Sequence, residues 1–147
     1  ISWVTFFIIL LMRPLSEIIS SDWLKGKLKK RKELGILCGI AASLHIAIYL
    51  YANNLFGNYL FNSAFWDFKN LFAWGNLAAI FLFFPFVTSN KVSHKFFKKH
   101  WLTIQKLSYP AFILTGIHIY FVNENWVLGL VPIFIWSFVW IWAQLKK

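Results

Sequence analysis

Residues Leu34–Ala52, LGILCGIAASLHIAIYLYA, decide how this chain is built. The stretch is almost entirely apolar, bounded by Arg31, Lys32 and Glu33 on one side and Asn53-Asn54 on the other. About 20 such residues at 1.5 Å each cross a hydrocarbon core of roughly 30 Å. Gly35 and Gly39, four apart, permit close helix contact. Inside the run stands one histidine, His45. A second stretch, Ile104–Val122, IQKLSYPAFILTGIHIYFV, has the same character and carries His118. An ionisable group at that depth is costly and marks a candidate functional site.

Working outward, further apolar segments are Ser2–Met12, Leu71–Thr88 and Trp126–Leu145. The first is short, so the chain is expected to start inside a helix truncated at its N-terminus. The whole composition agrees: 59% hydrophobic, 21% aromatic and only 14% charged over 147 residues. This predicts one all-α integral membrane domain over residues 1–147, a bundle of about five transmembrane helices. Leu60–Asn70, with Phe61, Phe65, Trp66 and Phe68, is too polar to span and reads as an interfacial segment over the outer mouth.

The net charge of +10 follows an alternating pattern. Lys25, Lys27, Lys29, Lys30, Arg31 and Lys32 fill the first loop, and Lys91, Lys95, Lys98 and Lys99 the third. Lys146 and Lys147 end the chain, whereas the second loop holds only Lys69 against Asp67 and the fourth holds Glu124. By the positive-inside rule, loops one and three and the C-terminus are cytoplasmic. Orientation and anionic lipid explain the basic residues, and no nucleic-acid partner is expected. Cys38 stands alone, so it forms no intrachain disulfide, and no CxxCH motif is present for covalent haem attachment.

His45 and His118 are expected at comparable depth on two helices. Two imidazoles in that arrangement can supply both axial ligands of a haem iron. Small residues near each, Ala41, Ala42 and Ser43, and Thr115 and Gly116, leave room for a flat macrocycle. The reading is a haem b cytochrome ligated through iron by His45 and His118. The alternatives are histidines that only pack, in a structural or assembly subunit of a larger complex, and a proton relay or metal site. A quinone-reactive anchor lacks a marked pocket, and a transporter lacks acidic residues inside its spans. His94 and His100 belong to the basic loop and read as solvated or headgroup-facing.

Arg31-Lys-Glu-Leu-Gly-Ile followed by Leu44-His45 resembles the second core helix of the ferric reductase-like transmembrane superfamily. Pro85 through Val87-Thr88-Ser89, Trp101 through Leu107-Ser108-Tyr109 and on to His118, and Arg13-Pro14-Leu15 fit the same ordered set. Among its members the chain resembles the MsrQ (YedZ) family, haem-binding membrane subunits of a bacterial periplasmic methionine sulfoxide reductase system. The resemblance, over about residues 5 to 122, implies a b-haem on His45 and His118. It also implies electron relay across a bacterial inner membrane, from a cytoplasmic donor to an outer acceptor such as a periplasmic reductase. The implied partners are lipid and a redox protein or larger membrane complex. One position departs. Where that family carries an inner histidine, this chain has Gln105, and Arg31 or Lys32 stands opposite. One haem is therefore expected rather than two, with FMN or a partner subunit as ways to bridge the inner half.

Overall fold

The structure is a computed structural model that describes residues 2–19, 22–28, 30–55, 63–69 and 71–146. Its elements are α1 (Ser2–Ile19), α2 (Asp22–Leu28), α3 (Arg31–Ala52), α4 (Leu71–Val87), α5 (Lys91–Phe97), α6 (Trp101–Gln105), α7 (Ser108–Asn123), α8 (Trp126–Gly129) and α9 (Val131–Leu145), with short 3-10 turns at Ser63–Trp66 and Lys98–His100. The all-helical architecture matches the expectation. Arg31–Ala52 and Trp126–Leu145 are long and apolar enough to cross a membrane, each with mean hydropathy 1.9. A pair bent by 94°, Phe72–Val87 with Lys91–Asn123, makes a third if counted as one span.

Side-chain contacts fix the helix directions. Near the start of α4, a Cβ on Gly75 would lie 2.9 Å from the His118 ring, near the end of α7. At the other end of the same pair, Gln105 Nε2 donates to the Pro85 carbonyl at 3.2 Å and to Thr88 Oγ1 at 3.0 Å. Thus α4 and the α6–α7 segment run antiparallel. Gly116 and Gly129 bring α7 and α8 together so closely that a Cβ on Gly116 would stand 2.7 Å from the Gly129 carbonyl oxygen. Trp3 Nε1 donates to the Leu128 carbonyl at 2.8 Å, tying the start of α1 to the same end. At the opposite end, Arg31 lies near Tyr109 and Arg13. The ends of α1 and α4 and the starts of α3 and α7 therefore gather on one side, together with most of the lysines.

The core lies between α1, α3, α7 and α9. Phe6, Ile9, Leu10, Cys38, Ala111, Phe112 and Trp136 form one buried cluster. Phe112 is its centre, with no exposed surface. Its ring stacks on Trp3 at 4.5 Å and meets Phe6 and Trp136 edge-on at 5.5 and 5.8 Å. Such offset and edge contacts add about 0.5–1.5 kcal/mol per pair beyond burial. Cys38, expected as a packing residue, sits in this cluster.

Two local expectations change. The first apolar segment, Ser2–Met12, is followed by Pro14, yet α1 continues through that proline to Ile19. Proline removes one intrahelical donor. Nearby, Ser16 Oγ donates to the Arg13 carbonyl at 2.8 Å, and Arg13 pairs with Glu17 at 3.2 Å across the turn. Conversely, Ile104–Val122 is not one helix. It breaks at Lys106-Leu107, between α6 and α7. Pro110 cannot donate to the carbonyl four residues back and crowds it, so a fresh helix starts at Ser108 with Pro110 in its first turn, where no donor is needed. Of the proposed interfacial segment Leu60–Asn70, Phe61 and the other residues before Ser63 lie outside the described residues, as does Asn70. The described part packs on α4: Asn76 Nδ2 donates to the Phe65 carbonyl at 2.9 Å, and Phe65 is buried against Phe72 at 5.2 Å.

Candidate functional site

Helical periodicity relates both histidines to the core. Seven residues is two turns less about 20°, so side chains at that spacing share a face. His45 stands seven residues beyond Cys38 on α3, and His118 seven beyond Ala111 on α7. Cys38 and Ala111 belong to the same buried cluster. Both histidines therefore stand about 10 Å along their helices from a residue of that cluster, on the same helical face as that residue.

Their surroundings differ from the core beneath. His45 is exposed, as are Ser43, Leu44, Ile46, Ala47 and Ile48 around it. Among the described residues no hydrogen bond or ring stacking engages the His45 imidazole. His118 is half-buried and rests on Gly75 of α4. Any larger residue there would push the ring aside. Among the described residues α3 and α7 have no extended packing against each other. Each instead packs on α1 and α4. Two imidazoles on helices without extended mutual packing are a donor pair that fits a flat group held between them. The polar hydroxyls nearby are already used: Ser43 Oγ donates to the Gly39 carbonyl at 2.9 Å and Thr115 Oγ1 to the Ala111 carbonyl at 2.7 Å. The immediate donors are thus two imidazole nitrogens in an apolar setting. That donor set suits a haem iron, which brings four ligands of its own. Among the described residues no three His, Cys, Asp or Glu side chains converge as a protein-only metal site would require.

Aromatic rings border this layer. Tyr49, one turn beyond His45, meets Phe72 at 5.5 Å, and Phe72 meets Phe65. On the other side Trp74 stacks on Phe121 at 6.4 Å and meets Phe68 edge-on at 5.5 Å. Phe65 and Phe68 belong to the segment expected over the outer mouth, whereas Gly75 was not singled out from the sequence. A glycine within an apolar run beside a tryptophan was the available signal for Gly75, but its partner on α7 emerges only when the helices are paired. Of the outer-end groups considered from sequence, Asn53 donates to the Tyr49 carbonyl at 2.8 Å and so helps cap α3.

Gln105 has a definite place. Besides donating to Pro85 and Thr88, it lies one helical turn beyond Trp101, whose Nε1 donates to the Thr88 carbonyl at 3.0 Å. Thr88 is buried and its own hydroxyl returns to the Phe84 carbonyl at 2.7 Å. The end of α4 has carbonyls without intrahelical partners, and α6 supplies the donors. Gln105 is a clasp between two helices. His94 meets Trp101 edge-on at 4.9 Å, and His100 is exposed. Both belong to the basic end, away from the His45–His118 layer.

The profile of the ferric reductase like transmembrane component matches residues 1–116. That span contains His45 and Gln105 and stops two residues short of His118. Neither a curated protein nor a solved structure matches the chain. The profile covers most of the sequence, and the helices long enough to cross a membrane accord with it. The chain belongs to the ferric reductase-like transmembrane family.

Proposed function

We propose that this protein is a membrane cytochrome b subunit that binds one haem b through His45 and His118 and relays single electrons across the bilayer. The observation that carries the reading is the shared i+7 relation of the two histidines to one buried layer, in a region where α3 and α7 do not pack on each other. Membership of a ferric reductase-like family supports a membrane redox role. When bound, the haem would supply a reversible one-electron iron couple. The chain's own part is to hold the two imidazoles, keep water away with the surrounding apolar rings, and leave no carboxylate to compete for the metal.

In this reading five segments span: α1, α3, α4, α6–α7 and α8–α9. The antiparallel pairing of α4 with α6–α7 supports two separate crossings over one bent span. The lysine-rich end faces the cytoplasm of a bacterial cell, with the C-terminus, by the positive-inside rule. Electrons pass from a cytoplasmic donor, a flavoprotein or other subunit docking on that end, toward an outer acceptor, a periplasmic reductase if the motif-level likeness to MsrQ extends to function. Gln105, engaged by α4, favours a single haem.

The test is a reduced-minus-oxidised visible spectrum of the detergent-purified chain, with pyridine-haemochrome stoichiometry, on wild type, His45→Ala and His118→Ala. One b-type haem per chain, lost in both variants, is the expected result. A folded, colourless wild type would overturn it and leave a structural subunit whose histidines only pack.

A further inference from the structure

We propose that the groove between α3 and α4 is a binding site for one anionic phospholipid, its acyl tail lying in the groove and its phosphate at Lys32. The groove has a volume of about 320 Å³ and is lined by Gly39, Ala42, Ser43 and Ile46 of α3 and by residues of α4 that include Ala79 and Phe83. Its floor is set by close contact: a Cβ on Gly39 would collide with the Phe86 ring. The small residues of α3 leave the trough, and exposed Ile46, Ile80, Phe83 and Phe84 form its apolar walls.

Three observations select the occupant. First, the lining offers almost no hydrogen-bonding capacity. Its one hydroxyl, on Ser43, already donates to the Gly39 carbonyl. A hydrocarbon tail needs nothing more, whereas a quinone head needs donors for its carbonyls. Second, Lys32 lies seven residues before Gly39, hence on the same face of α3 and about 10 Å toward the basic end. Lys32 is exposed, and Lys91 is exposed just beyond the end of α4, where the other wall of the groove finishes. Two cations therefore stand at the mouth of an apolar trough. Third, the length suits a lipid. From Lys32 to Ile46 is about 21 Å along the helix, close to the roughly 20 Å of one leaflet with its headgroup region. A lipid with its headgroup at Lys32 would run its tail along the entire trough within its own leaflet. An unmatched transmembrane helix would instead meet the protruding Phe83 and Phe84 rings, both exposed.

The experiment is native mass spectrometry with lipid identification on the chain purified in mild detergent, then exchange in vesicles of phosphatidylcholine doped with phosphatidylglycerol. Wild type should retain a single phospholipid enriched in the anionic species. Lys32→Gln, a surface change that leaves the trough intact, should lower the anionic preference about fivefold, the effect of one cation at a charged surface. Ala79→Leu, which fills the trough, should lower retention of both lipid classes; circular dichroism confirms its fold. Overturning results are no retained phospholipid in wild type, retention unchanged in both variants, or a quinone in place of the lipid.

Discussion

The two halves of the bundle are built from the same helical faces and end differently. On the basic side, the interior face of α3 presents Leu34 and Cys38 and that of α7 presents Ala111 and Phe112, and the space between is closed by Phe6, Leu10 and Trp136. Two turns outward those faces present His45 and His118, and protein filling gives way to an exposed imidazole on one side and a half-buried one on the other. Apolar packing completes one half with protein atoms alone, because ring and aliphatic surfaces satisfy one another. In the other half the His45 imidazole is exposed, which in lipid is costly unless a further group covers it. The contrast is what the proposed haem site rests on.

The sharpest way to break this comparison is to remove the proposed ligands of the outer half. His118→Ala and His45→Ala should each reduce haem from one per chain to none, read by pyridine haemochrome, while circular dichroism stays helical because neither residue belongs to the buried cluster. If haem persisted in either variant, the outer half would not be its site. Next in size is an attack on the inner half. Phe112→Ala removes the ring at the centre of the aromatic cluster. In water such a change costs about 3–5 kcal/mol. In lipid the reference outside the bundle is itself apolar, so about 3 kcal/mol is expected, measured by thermal unfolding in detergent. The two halves predict opposite patterns: the histidine variants lose colour and keep their fold, and Phe112→Ala loses stability first and colour only with it.

A subtler change tests the seam between the halves. Gly75→Ala places a carbon where the His118 ring now rests. Crowding of this kind costs about 1–3 kcal/mol, and the imidazole must turn, which should alter the electron paramagnetic resonance spectrum of the oxidised haem. Gly35→Ala is the matched control. Nothing lies within 4 Å of a Cβ there, and alanine favours a helix by about 1 kcal/mol over glycine. The first variant should therefore shift the spectrum and destabilise, and the second should do neither.

Much of this was legible in the sequence because it depends on period and composition. The apolar run containing His45 fixes a helix, and a spacing of seven residues fixes its face. The alternating lysines anticipate the gathering of Arg13, Arg31 and Tyr109 at one end. What stayed hidden depends on pairing. Gly75 acquires meaning only from the ring across from it on α7. The break at Lys106-Leu107 had its local signals in the polar pair Gln105-Lys106 and in Pro110, which the apolar residues on either side outweighed. The persistence of α1 beyond Pro14 could not be read either, because a proline ends a helix only when neighbouring groups fail to compensate. Gln105 was visible as a missing histidine, but its partners, Pro85 and Thr88, come from a helix far away along the chain.

That residue gives the smallest and most discriminating effect. Gln105→Leu removes two hydrogen bonds, to the Pro85 carbonyl and Thr88 Oγ1. Thr88 keeps its bond to Phe84, and Trp101 still donates to the Thr88 carbonyl. The loss should therefore be near that of one net hydrogen bond, about 1 kcal/mol, with haem content unchanged. Gln105→His carries the comparison further. If the inner half is closed by its aromatic cluster, an imidazole at this position meets the end of α4 and faces no vacancy, so the haem count stays at one. A rise to two haems would show that the inner half retains room for a second group, and that only the missing ligand separates it from the outer half.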